Sequence, residues 1–227
     1  VYSSSVIASG NCGEKGQDVT WTLNKEGVLR IKGKGAIQGE GYNSYMPWRK
    51  YVGQIKKIVI EEGITKIGGS SFANCSEVTE IKIPDSVEEI GWYAFYYCSS
   101  LASITIPSSV TSIGKDAFVD CAQLSSVIFG ENSKLTSVGE QAFGHCSTLT
   151  EITIPSRVTS IGTAAFYGCS TLKSVTFAEN SKLTSIPNHM FSLCSALTKI
   201  ELPSGITRIG GWAFADTGLT DLEIPDG

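Results

Sequence analysis

Histidine and methionine are nearly missing from this 227-residue chain, with two of each. His145 and His189 stand far apart, so no two-histidine zinc motif can be written, and no Cys-x-x-Cys pair takes its place. Cationic excess is missing too. Eighteen Lys and Arg face 22 Asp and Glu, a net charge of -4, which offers no field to nucleic acid or an anionic membrane. No apolar run approaches the roughly 20 residues that cross a bilayer, and no basic-then-apolar leader opens the chain. Glycine-rich phosphate loops and nucleophile elbows are also not found. His145 does adjoin Cys146, but neighbours along a chain do not make a catalytic dyad. These gaps argue for a noncatalytic protein that needs no metal or other cofactor, inserts in no membrane through this segment and binds no nucleic acid. The chain also lacks an initiator Met and stops soon after a repeat begins, so both ends are expected to continue in a longer protein, with a signal removed in front.

What is abundant is repetition. The stretch at residues 101–123, LASITIPSSVTSIGKDAFVDCAQ, recurs with variations from residue 55 onward in units of 22 to 25 residues. A period of this length means that each unit buries its apolar face only against its neighbours, so the chain is read as a solenoid. Each unit opens with a strand such as Leu101-x-x-Ile104-x-Ile106, whose period of two turns one face inward. Pro84, Pro107, Pro155, Pro203 and Pro225 end that strand, where a missing N–H does least harm. Gly114 then allows a change of direction, and the spacing of Ile113, Ala117, Phe118 and Cys121 predicts one or two helical turns on the opposite face. Two units run to 25 residues because Phe129-Gly-Glu-Asn-Ser133 and Phe177-Ala-Glu-Asn-Ser181 replace the Ile-Pro turn. These longer turns are expected at one edge, as plain length variants or as twin protrusions.

Six of the seven cysteines, Cys75, Cys98, Cys121, Cys146, Cys169 and Cys194, hold one position in successive units. Side chains in such a column point the same way, the wrong vectors for a disulfide, and are expected as buried thiols. Cys12 is left unpaired.

The domain reading is a β-hairpin and aromatic-loop cap over residues 1–54, seven repeats over 55–218, and the start of an eighth over 219–227. Residues 1–10 read as a partly ordered lead-in. Val19, Trp21 and Leu23 alternate on one strand of the hairpin, Leu29 and Ile31 on the other. Residues 1–66 carry ten Lys and Arg against six Asp and Glu, whereas residues 67–227 carry eight against sixteen. Tyr42, Tyr45, Trp48 and Tyr51 crowd the segment after the hairpin. They read as a cap on the open first turn, or as a ligand patch in which Tyr45 and Trp48 adjoin Arg49.

At equal positions along stacked strands, outward residues form columns. Ser103, Ser126, Glu151 and Ser174 make one, and Thr105, Ile128, Thr153 and Thr176 its neighbour. Short hydroxyls give a flat surface with little ordering entropy, suited to a broad protein contact. The charged residues toward the ends would frame such a partner. On the opposite face Trp92, Tyr93 and Tyr97 make the densest aromatic cluster of the repeats, a surface that would suit a glycan. A passive stalk remains the third reading.

The unit L-x-x-I-x-I-P-x-x-V-x-x-I-G-x-x-A-F-x-x-C-x-x resembles the BspA-like leucine-rich repeat, also described as the Treponema pallidum type, over residues 55–227. Departures are Pro187 for Gly, with Ser71 and Met190 for Ala. The head, with Ser9-Gly-Asn-Cys12, Trp21-Thr-Leu23, Gly33-Lys-Gly35 and Pro47-Trp48, resembles segments that precede such repeats in bacterial surface proteins. The resemblance implies a curved right-handed solenoid with a parallel β-sheet on one face, exported to the cell surface. It also implies adhesion to host matrix proteins, epithelial cells or other bacteria.

Overall fold

The computed structural model describes residues 5–39 and 45–225; Tyr42 lies outside them. The head is a meander of β1 (Val6–Gly13), β2 (Gly16–Asn24) and β3 (Val28–Gly33), antiparallel throughout. From Val6 onward, then, the expected lead-in is a strand. It looks like a loop in the sequence because the inward residues Ala8 and Gly10 are small, and the Trp21 ring of the next strand covers Gly10. After β4 (Gly35–Ala36), a 3-10 helix spans Arg49–Gln54.

Each of the first six repeats then contributes a sheet strand, and all seven a two- to four-residue strand on a second side. These are β5 (Lys57–Ile60) and β6 (Ile64–Ile67), β7 (Glu80–Lys82) and β8 (Glu89–Ile90), and β9 (Ser103–Ile106) and β10 (Ser112–Ile113). There follow β11 (Ser126–Phe129) and β12 (Ser137–Val138), β13 (Glu151–Ile154) and β14 (Ser160–Ile161), and β15 (Ser174–Phe177) and β16 (Ser185–Ile186). The last is β17 (Arg208–Ile209). All pairings between repeats are parallel, and β3 joins β5 in the same manner, Leu29 opposite Ile58. The head is therefore continuous with the solenoid sheet.

The interior is a stack of rings. Phe72, Phe95, Phe118, Phe143, Phe166, Phe191 and Phe214 follow one another with centroids 5.1 to 5.7 Å apart and planes within 20° of parallel. Beside them runs the cysteine column. The thiols of Cys98, Cys121, Cys146, Cys169 and Cys194 each donate to the Phe carbonyl of the preceding repeat, at 3.2 to 3.3 Å. All seven cysteines are free and buried, as the column arrangement requires. Burial pushes the Cys75 and Cys121 thiols up from 9.0 to about 12. In the seventh repeat Thr217 takes the cysteine position, and its hydroxyl donates within its own turn to Phe214 O at 2.9 Å.

Opposite the sheet, the turns read from the sequence are present, but no α-helix forms there among the described residues. In every repeat two residues adopt left-handed φ, for example Asp116 (54°) and Asp120 (58°), or His189 (55°) and Leu193 (63°). Alternating hands sends every second amide along the solenoid axis. Phe72 N–H donates to Ala94 O, Phe95 to Ala117, Phe118 to Ala142, Phe143 to Ala165, Phe166 to Met190 and Phe191 to Ala213. Because Ala94 O and Phe95 N–H belong to one peptide unit, this is an unbroken chain of hydrogen bonds through all seven repeats. Two parallel chains start at Ser70 and Asn74. They end at Trp212, Phe214 and Asp216, whose N–H groups have no partner among the described residues.

Left-handed φ costs an L-residue about 1–2 kcal/mol, most when it is β-branched, and neither column contains Val, Ile or Thr. Leu193→Val is thus expected to lower unfolding free energy by about 1–2 kcal/mol in urea melts, and Leu193→Asn to leave it unchanged or raise it. For the thiols, a 5,5′-dithiobis(2-nitrobenzoate) count should give none in the native chain and seven after denaturation. A thiol whose acidity is suppressed only in the folded state stabilises fully below about pH 9, and that contribution is lost as pH rises through about 12. The urea midpoint should therefore fall over that alkaline window.

Candidate binding surface

Proline decides where the sheet closes. In the repeats that lack it, the residue after the strand donates back to the preceding one: Glu61 N–H to Ile31 O, Gly130 to Ile106 and Ala178 to Ile154, at 2.9 to 3.0 Å. Pro107, Pro155 and Pro203 hold the equivalent position and have no N–H to give. Among the described residues no ladder joins β7 to β9 or β11 to β13, and no strand follows β15 on this face. Pro84 leaves β7 paired, but only over three residues. The proline is therefore not harmless, as the sequence suggests, since it divides the sheet into pieces. The turn ladder on the opposite face continues across the same junctions, from Phe118 to Ala142 and on to Ala165. The repeats are bound behind and parted in front.

Between β11 and β13 the parting forms an open cleft of about 540 Å³. Six of the eight sheet-face residues singled out from the sequence meet there: Ser126, Ile128, Glu151, Thr153, Ser174 and Thr176. Ser103 and Thr105 pair with Ser126 and Ile128 in register but lie on β9, outside the cleft. Ile128 is 54% exposed, a large apolar side chain in the middle of a hydroxyl surface. The two longer turns supply a rim through Gly130, Asn132, Ser133 and Ala178. They do not project freely, because Lys134 N–H donates to Ser108 O and Lys182 N–H to Ser156 O, tying each loop to the repeat before it.

Hydroxyls at the edges of the solenoid are consumed by the fold. Those of Thr111, Thr136, Thr159 and Thr207 donate to carbonyls of Glu88, Thr111, Thr136 and Thr184, one repeat back. By contrast the hydroxyls of Ser103, Thr105, Ser126, Thr153, Ser174 and Thr176 make no hydrogen bond to the protein among the described residues. The charges expected to frame the face are mostly used as well: Lys57 pairs with Glu80 at 2.6 Å and Lys199 with Glu201 at 2.9 Å. Glu151, within the cleft, has no ion pair among the described residues.

The aromatic candidates do not gather on one surface. Trp48 is buried, not exposed: its indole stacks on Phe72 at 5.6 Å and its N–H donates to Ser71 O at 2.8 Å. It is the first ring of the phenylalanine stack and the donor that closes one amide chain, so it belongs to no ligand patch. Tyr45 is 75% exposed in the head. Trp92 and Tyr97 are exposed on the turn face, where the Trp92 indole lies over Gly114. Tyr93 donates to the largely buried Asp116 of the next repeat. Burial raises the Asp116 carboxyl above the usual range, and the Tyr93 hydroxyl opposes that rise. Cys146 faces inward to Phe118 O, while the neighbouring His145 ring meets Tyr167 edge-on at 5.3 Å.

Strands, turn ladder and ring stack together define a leucine-rich-repeat solenoid. Family comparison gives the particular kind. The chain belongs to the BspA type leucine rich repeat family, whose model matches six copies over residues 50–134 and 131–227. Among solved structures it is similar to a leucine-rich repeat protein from Bacteroides ovatus, 32% identical, with a TM-score of 0.59 over 92% of this chain and 58% of that one. A leucine rich cell surface protein from Faecalibacterium prausnitzii is 24% identical, with a TM-score of 0.56 over 98% of this chain and 77% of that one. The Treponema pallidum leucine rich repeat protein is 20% identical, with a TM-score of 0.51 over 88% and 86%. The last two likenesses are of fold. Comparison with curated protein sequences gives no match. Among the described residues no helix is long and apolar enough to cross a membrane.

If Trp48 caps the stack, Trp48→Ala should cost about 3–5 kcal/mol in chemical denaturation. Trp48→Phe should cost less, by keeping the ring contact while losing the bond to Ser71.

Proposed function

We propose that the chain is a noncatalytic binding module of the cell surface that engages a protein partner through its sheet face, centred on the cleft between β11 and β13. One observation carries this reading: the hydroxyls of the sheet face are unspent, although hydroxyls at the solenoid edges are bonded to the preceding turn. A row of free donors and acceptors around an exposed Ile128, with one unpaired carboxylate at Glu151, is the chemistry of a broad contact rather than of turnover. Solenoids of this kind present such extended surfaces to other proteins. The cell-surface setting is supported by the family match and by the likeness to the Faecalibacterium prausnitzii cell surface protein.

The test is binding of the purified chain to immobilised host matrix proteins at physiological salt, with Ser126→Arg and Ile128→Asp as variants. Each substitution is expected to weaken a saturable interaction at least tenfold, as for a central interface residue, with unchanged thermal melts. Full binding by both variants, with loss instead in Trp92→Ala, would overturn the sheet-face reading in favour of the aromatic turn face.

A further inference from the structure

Among the described residues that line the cleft between β11 and β13, one is charged, Glu151, and none is basic. Lys134, Arg157 and Lys173 neighbour lining residues along the chain but do not themselves line it. Elsewhere on the same face charges come in pairs, Lys57 with Glu80 and Lys199 with Glu201, whereas Glu151 has no such partner among the described residues. In its column Glu151 follows Ser126 and pairs in register with Ser174. Both hydroxyls can accept, as the carboxylate does. The neighbouring column holds Ile128, 54% exposed, between Thr105 and Thr153, so that Ile128 lies diagonally across the cleft from Glu151. Two such positions stand roughly 8 Å apart on a regular sheet.

We infer that the cleft takes an arginine side chain of the protein partner, with its guanidinium on Glu151 and its methylenes on Ile128. This rests on the sheet-face reading above and names what that face recognises. A guanidinium carries five N–H groups in one plane, so two can meet the carboxylate while others remain for the hydroxyls of Ser126 and Ser174. Lysine brings three donors from a single point and cannot spread across the same acceptors. The arginine stem covers apolar surface while its head stays among polar groups, the division that Ile128 and Glu151 present. An acidic ligand would meet Glu151 with no base in the lining to offset it. The charge of the solenoid favours the same partner, since residues 67–227 carry sixteen Asp and Glu against eight Lys and Arg.

A phage-displayed library of random linear peptides, panned on the purified chain and sequenced before and after selection, tests it. Arginine is expected to be enriched, and the leading peptide, made synthetically, to bind saturably in a calorimetric titration. Its arginine-to-lysine version should bind about fivefold more weakly. Glu151→Gln in the chain should weaken the original peptide about tenfold and flatten its salt dependence. Thermal melts of that variant should be unchanged, because the carboxylate is exposed. A pool without arginine enrichment, equal affinity of the lysine version, or full affinity in Glu151→Gln would overturn the inference. Peptides lost by Ile128→Asp but kept by Glu151→Gln would overturn it and leave the sheet-face reading in place, whereas peptides indifferent to both variants would overturn both.

Discussion

Three chains of hydrogen-bonded peptide units, running lengthwise along the turn face, hold the repeats in register. Each unit accepts from the repeat before and donates to the repeat after, so every bond polarises the next, and their strengths are cooperative. Backbone geometry is committed to this arrangement. It demands left-handed φ twice per repeat, and that demand excludes β-branched residues from two whole columns. It also brings the Phe carbonyls to the position where the next repeat's thiol can reach them, which is why a small residue with a weak donor occupies the cysteine column. The ring stack follows from the same spacing: phenylalanines carried on bonded turns arrive 5.1 to 5.7 Å apart.

Because that face is continuous, the other can be interrupted without the solenoid coming apart. At Pro107, Pro155 and Pro203 the strand end has no N–H to give and the neighbouring strands have no ladder, while the ladder behind them holds. The two longer repeats restore the donor through Gly130 and Ala178. From β7 onward open and closed junctions therefore alternate, and the open one between β11 and β13 collects the hydroxyls, Ile128 and Glu151. The candidate surface is thus a consequence of where proline is placed, with no element built specially for it.

Much of this was readable in the residues. The period, the inward Leu-Ile-Ile triplets, the Phe position and the cysteine column are repeated seven or six times, so each confirms the others. Trp48 was not readable as a cap, because its role depends on a Phe 24 residues later and on a carbonyl that only the folded turn exposes. β1 was obscured by its own small residues, whose packing is supplied by a tryptophan on another strand. The left-handed columns did leave a trace, the lack of Val, Ile and Thr amid Asn, Asp, His and Gly, but absence at one position in a repeat is a faint signal beside a recurring Ala-Phe. That the proline opens the sheet could not be seen from one repeat, since the lost bond belongs to the preceding one.

The lengthwise peptide chains have a further consequence. Each peptide unit carries a dipole of about 3.5 D, and here the units are aligned head to tail over seven turns, as they are in an α-helix but spread across three parallel rows. The solenoid is therefore polar from end to end, with its positive pole at the open amides of Trp212, Phe214 and Asp216 and its negative pole against the head. The side-chain charges are distributed in the opposite sense, acidic residues such as Asp216, Asp221 and Glu223 near the positive pole and the Lys-rich head at the negative one. What looks in the sequence like an arbitrary division into basic and acidic halves offsets the field of the backbone itself.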